Sequence, residues 1–211
     1  MNDYIYVGGI DPSYTNTGLA LLRVTSGRVN PTIEVVERFS VKAFNPQRSR
    51  NNRKNDVYEL ENTVFAASHV ASVVKGMFTT WAEKWEINLN STIPSLNLFV
   101  EYPALATPSG AYLGFIQQAL YDAFSLWGAN VPLYAFPPVA INSHTHTKTK
   151  TELVEWVKSN VAFTCPIKRK GSEGALNHDE ASAVVLALLG QQVLSSSYGK
   201  SYKCYVESIS I

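Results

Sequence analysis

The run from Tyr6 to Ala20, YVGGIDPSYTNTGLA, delivers one aspartate, Asp11, to the end of a β-rich stretch and begins another such stretch at once. Two later stretches also place acids at an end. Leu96-Asn97-Leu98-Phe99-Val100 is a short apolar run closed by Glu101, and an almost wholly apolar helical stretch carries Asp179 and Glu180 at its entrance. Carboxylates are seldom buried unless paired or bound to a cation, so acids at the ends of buried elements ask for a partner. A divalent ion answers that need. Mg²⁺ takes oxygen ligands and keeps several waters, which leaves positions for the phosphate oxygens of a substrate. Two such ions roughly 4 Å apart stabilise the attacking and leaving oxygens of a phosphodiester together, so Asp11, Glu101, Asp179 and Glu180 form a coherent ligand set. Each acid also has a plainer reading. Asp11 before Pro12 suits the opening of a turn, Glu101 a solvated strand end, and Asp179 or Glu180 the first turn of a helix, where the dipole favours negative charge. Their conjunction in one order is what favours a common site.

The four histidines weigh less. His178 adjoins the acids and is expected to support them or serve the fold, with direct metal ligation as the lesser alternative. His144 and His146 alternate with threonines and lack a third ligand, a weak zinc pattern. His69 falls within a helical stretch as a surface residue or a satisfied core residue.

Elements must bring these acids together. Residues 4–10, 18–25 and 33–41 read as strands separated by short turns, hence an antiparallel meander. Apolar residues then recur at helical spacing over residues 57–85 (Leu60, Val64, Val70, Val74, Phe78, Trp81). Residues 96–100 read as a buried strand, 110–127 as a helix, and 131–136 as a strand stopped by Pro137-Pro138. Residues 142–150 are polar, 151–161 are helical, and the segment from His178 to about Val193 is apolar almost all round, as a buried helix should be. Three antiparallel strands followed by parallel ones, interleaved with helices, give an α/β domain. The tail from Tyr198 reads as an edge strand or a loose end.

A chain of 211 residues with 45% apolar composition can bury one sizeable core, and residues 1–211 are expected to form a single domain. The net charge of +1 gives no overall basic field, so any nucleic-acid surface must be local. Three basic clusters qualify: Arg48, Arg50, Arg53 and Lys54; Lys148 and Lys150; and Lys168, Arg169 and Lys170. Cys165 and Cys204 stand far apart, which suits neither a disulfide framework nor a metal motif and points to a reducing compartment. Asp3 and the early glycines interrupt any signal-like stretch. No apolar run approaches the roughly 20 residues a membrane span needs. The expectation is a soluble, cytoplasmic protein with no membrane partner, in the host cytoplasm if a phage encodes it.

With these residues in place, the sequence resembles RuvC-type Holliday junction resolvases. Gly9-Ile10-Asp11-Pro12 leading to Thr17-Gly18 is similar to their first motif, Leu98-Phe99-Val100-Glu101 to the second, and Asp179-Glu180-Ala181-Ser182-Ala183-Val184 to the third. Pro137-Pro138-Val139-Ala140-Ile141 with Lys148 and Lys150 is similar to the segment carrying the family's basic loop. The resemblance implies an RNase H-like fold with a mixed five-stranded sheet flanked by helices. It also implies a homodimer and Mg²⁺-dependent cleavage of branched DNA, with Mn²⁺ able to substitute. Asp11 and Glu101 carry over directly. The third motif fits in two registers, Asp179 with Ser182 or Asn177 with Glu180, and each leaves a neutral side chain where the family has an acid. Tyr102, with Leu105 beyond it, occupies the region where the family inserts an aromatic residue at the junction. On this reading the basic clusters contact phosphates, and the helix over residues 110–127, with Phe115, Leu120, Phe124 and Trp127, is a candidate dimer face, although the same pattern would serve the core. Size and divergence fit a phage or viral member. Competing readings are a structure-tolerant branched-DNA nuclease, a catalytically silent junction binder, and an ATP-handling protein of the actin and sugar-kinase type; for the last, no second glycine-rich phosphate loop is present.

Overall fold

The computed structural model of the chain describes residues 4–13, 16–25, 31–41, 56–102, 108–166 and 175–196. Strands β1 (Tyr4–Asp11), β2 (Thr17–Thr25) and β3 (Ile33–Val41) form the antiparallel meander, followed by the long helix α1 (Asp56–Lys84). Then come β4 (Leu96–Glu101), α2 (Pro108–Ser125), β5 (Leu133–Phe136), α3 (Val139–Thr145), α4 (Lys150–Asn160), β6 (Ala162–Phe163) and α5 (His178–Ser195). The sheet order is β5-β4-β1-β2-β3-β6, with β4 parallel to both β1 and β5. It has six strands rather than five. The extra one, β6, is two residues long and pairs parallel with Glu34 and Val35 at the far edge, too short to show any hydrophobic period. Helix α3 is also additional to the sequence reading: it starts directly after Pro138, whose fixed φ is compatible with a helix entrance.

Period-two alternation assigns each strand residue to a face. Tyr6 and Ile10 of β1, with Leu96, Leu98 and Val100 of β4, pack under α1 and α2 against Val74, Phe78 and Leu120. Val7 and Phe99 point the other way, into the cluster beneath α5 with Ala183, Val184 and Ala187. Continuing that alternation puts Asp11 and Glu101 on the α5 face. The register does the rest, because Ile10 pairs with Val100 and so the two acids follow side by side on neighbouring parallel strands.

Helix α5 lies close on the sheet because two glycines make room. A Cβ on Gly9 would stand 1.8 Å from the carbonyl oxygen of Ala183, and one on Gly18 would stand 2.0 Å from that of Asp179. Since Gly18 pairs directly with Asp11, the second glycine brings the start of α5 over the end of β1. Residues 181 and 183–187 of α5 are fully buried, each large aliphatic side chain contributing about 1.5–3 kcal/mol. On the opposite face, Leu120 and Phe124 of α2 are also core residues. They are therefore unavailable to a dimer contact, so the core reading holds for these two; among the described residues of that helix, Phe115 and Tyr121 are the exposed large apolar side chains. His69 is exposed on α1. Among the described residues no helix is long and apolar enough to cross a membrane.

Candidate active site

Three carboxylates meet where β1, β4 and α5 come together. Asp11 ends β1, Glu101 ends β4, and Asp179 stands in the first turn of α5. Burial, followed by the charges of Glu101 and Asp179, pushes the Asp11 carboxyl up to about 8, while a hydrogen bond from Ser182 and the charge of Lys150 pull the other way. Burial also raises Glu101. A carboxyl raised this far is one that burial deprives of water and that neighbouring carboxylates further discourage from ionising. The donors are all oxygens, the chemistry of a hard divalent cation, and such an ion would relieve the repulsion. Among the described residues no group of three His, Cys, Asp or Glu side chains is gathered tightly enough to cage a metal, so the carboxylates form an open cluster.

Asp179 is held from two sides. The Asn16 side-chain amide donates to its Oδ2, and Nε2 of His178 lies 2.8 Å from its Oδ1. The same Nε2 is 2.8 Å from Nζ of Lys150. One ring nitrogen serves one partner at a time: unprotonated, it accepts from the lysine; protonated, it donates to the aspartate. Asn16 is presented by the turn after β1, which buried Thr17 closes. Its hydroxyl donates to the Ser13 carbonyl at 2.8 Å and accepts the Ser13 N–H at 3.1 Å. The end of β4 is fixed in a similar way, with the Gln117 amide donating to the Glu101 carbonyl and the Tyr102 N–H donating to the Phe136 carbonyl at 2.6 Å.

No protein-family model and no curated protein sequence matches the chain. Solved structures do. RuvC of Thermus thermophilus superposes with a TM-score of 0.57 at 17% identity, over 90% of this chain and 95% of that one. The same values hold for T. thermophilus RuvC in complex with Holliday junction substrate. The chain has the fold of RuvC. The fowlpox virus Holliday junction resolvase is a more distant match, with a TM-score of 0.42 at 11% identity over 89% and 99% of the two chains.

On this RuvC fold, an RNase H-like α/β architecture, the acids expected from the sequence separate into two groups. Asp179 faces Asp11, with Ser182 one turn further along the same side of α5. Glu180 does not. One residue of helix turns a side chain by about 100°, and Glu180 points away toward β3. There its Oε2 accepts from Arg38 and from the Asn177 N–H, and its Oε1 accepts from Ser40 Oγ at 3.1 Å. With both oxygens engaged and 8% of the side chain exposed, Glu180 is a structural anchor, which corrects its expected place among the ligands. Asn177 caps α5 in a capping box with Glu180, so the register that faces Asp11 is Asp179 with Ser182.

Lys150 and Lys148 are exposed at the start of α4; of the two, only Lys150 acts on Asp11. Tyr102 follows Glu101 and is half-buried. Arg48, Arg50, Arg53, Lys54, Lys168, Arg169, Lys170 and Leu105 lie outside the described residues. His144 packs edge-on against Trp156 at 5.6 Å, and His146 is the left-handed cap of α3. Sequence reasoning missed Asn16 and Arg38. Asn16 sits inside the first motif, five residues after Asp11, yet only the folded turn shows that its amide returns to α5. Arg38 has no local signal at all, since its partners are more than 120 residues away.

Proposed function

We propose that this chain is a divalent-metal-dependent endonuclease that nicks branched DNA, with the four-way junction as its substrate and a homodimer as its working form. The observation carrying this reading is the convergence of Asp11, Glu101 and Asp179 on the RuvC fold, at a site whose Asp11 carboxyl is raised to about 8, by burial first and then by the charges of the other two. The three carboxylates offer oxygen donors, with the His178 imidazole beside Asp179 and Lys150 next to it.

Asp11, Glu101 and Asp179 would hold the metal, Mg²⁺ or Mn²⁺. When bound, two such ions lower the pKa of water and neutralise charge on the scissile phosphate. The remaining tasks fall to the protein. Asp11, between the other two acids and bonded to Ser182, must shed its proton before it can act as a ligand. Asn16 orients Asp179 through Oδ2, and His178 couples that residue to Lys150. Lys150 places positive charge where a phosphate would approach, a contact that positions DNA without reading its sequence. Lys148 and the two basic clusters outside the described residues would extend that role, and Tyr102, next to Glu101, would meet a base beside the cleaved strand. Twofold symmetry gives one site for each of two symmetry-related strands of a junction. The outer groove between α1 and α2, lined by Val64, Ser68, Phe115, Gln118 and Ala119, is the proposed dimer face.

The deciding assay incubates the purified protein with a four-way junction, a replication-fork mimic and linear duplex, with Mg²⁺ and with chelator. Paired symmetric nicks confined to the junction and abolished by chelator are expected. Cleavage of all three substrates makes the chain a structure-tolerant nuclease, and binding without cleavage under any metal contradicts the nuclease reading.

A further inference from the structure

Helix α5 presents a smooth surface of Ala, Val and Leu to the sheet, and it lies on glycines at Gly9 and Gly18. Apolar contact is non-directional, so such a surface fixes the depth of a helix better than its rotation or axial shift. A shift of one residue moves a side chain about 1.5 Å along and 100° around the axis, which would carry Asp179 away from Asp11. Something directional must set the register.

Besides the bonds at Asp179 and Ser182 themselves, the directional contacts that tie the start of α5 to the sheet centre on Arg38. It pairs with Ala20 of β2, and cross-strand partners share a face, so its side chain runs beneath the start of α5. Its Nη1 donates to Oε2 of Glu180 and, at 3.4 Å, to the Ala175 carbonyl, while Nη2 donates to the Pro166 carbonyl at 3.0 Å. Ser40, two residues along the same strand, donates to Oε1 of Glu180 and accepts from the Asn177 amide. Both members of the ion pair are 8% exposed. Burying two charges is costly, and an apolar pair of similar volume often serves stability as well or better. The capping box of Asn177 and Glu180 already satisfies the helix start. The guanidinium is therefore surplus to capping, and its planar fork gives what capping lacks, a fixed direction toward β3.

We propose that Arg38 is a positioning residue: through Glu180 it sets the rotation and axial register of α5 that place Asp179 against Asp11. Through Pro166 and Ala175 the same side chain ties the chain on either side of residues 167–174 to that register. This proposal rests on the nuclease reading for its consequence in catalysis, although not for its geometry.

The test uses the full chain and the double variant Arg38→Met/Glu180→Gln, which removes both charges and keeps a residue able to close the capping box. Expected are an unfolding midpoint close to wild type, unchanged four-way-junction affinity in chelator, and a kcat lower by about 10–100-fold, the usual cost of losing a residue behind a metal ligand. The Mn²⁺ dissociation constant should rise by a similar factor, and amide hydrogen exchange without metal should quicken at residues 179–183 while the sheet stays protected. Wild-type kcat, Mn²⁺ affinity and exchange in a folded double variant would overturn the proposal and leave Arg38 merely structural. Should the double variant fail to fold, Arg38→Lys decides: it keeps the charge but loses the fork. Reduced kcat at unchanged junction affinity supports the proposal, and full kcat overturns it. If wild type itself nicks no junction, the nuclease reading fails, and the metal-free exchange comparison still decides the role of Arg38.

Discussion

Asp11 is the residue on which the site turns, and its raised pKa has a measurable sign. Below about 3.8 the folded and unfolded chains both keep the Asp11 proton; from there to about 8 the unfolded chain has lost it and the folded chain holds it. The folded state binds more protons across that window, so stability falls as pH rises through it when no metal is present. Asp11→Asn removes the dependence. In chelator, the wild-type melting midpoint should drop relative to Asp11→Asn between pH 5 and pH 8, and parallel curves would contradict the account. With Mg²⁺ the order reverses, because binding requires the ionised form and gains strength as the proton leaves. Ser182 offers a complementary probe. Its hydroxyl donates to Asp11, and Ser182→Asp replaces that bond with a further negative charge. The variant should melt lower than wild type in chelator and show a larger Mn²⁺-induced rise in midpoint; an unchanged response to both conditions would remove Ser182 from the site.

At the scale of elements, the site depends on how closely α5 lies on the sheet. Gly9→Ala would drive a methyl group to within 1.8 Å of the Ala183 carbonyl, a backbone atom that cannot swing aside. Overpacking of this kind costs about 1–3 kcal/mol or more, and urea denaturation should show a loss of that size together with impaired cleavage. Much of this arrangement was legible in the sequence. The run from Tyr4 to Ile10 is rich in β-formers, the 178–193 stretch is apolar almost all round, and an acid ends each of two strands, so strand, helix and carboxylate were readable from local pattern. The choice between Asp179 and Glu180 was not. Neighbouring acids on a helix differ only by a rotation, and what settles that rotation is Arg38 and Ser40 on a strand some 140 residues earlier. Strand β6 and helix α3 escaped for a different reason, being two and seven residues long, too short for either period to declare itself.

The whole molecule has a formal charge of only +1, so the proposed DNA affinity cannot come from a global field. It must come from lysines and arginines grouped near the carboxylates, of which Lys150 is the one already beside Asp11. Lys150→Met should cut cleavage about 10-fold or more while weakening junction binding only slightly, since its contribution is to the site's charge and to His178 rather than to a broad phosphate contact. Equal losses in binding and cleavage would make it an ordinary DNA contact. Phe115, 38% exposed on α2, tests assembly: Phe115→Asp should convert a dimer to monomers in sedimentation at unchanged secondary structure, and a dimer that survives would place the interface elsewhere. The account as a whole stands on one spatial claim, that carboxylates from β1, β4 and α5 share metal. Manganese-soaked crystals of the wild-type protein test it directly by anomalous diffraction. The expected result is anomalous density contacting Asp11, Glu101 and Asp179, absent from Asp11→Asn crystals; density at Glu180 instead, or none among the three acids, would contradict it.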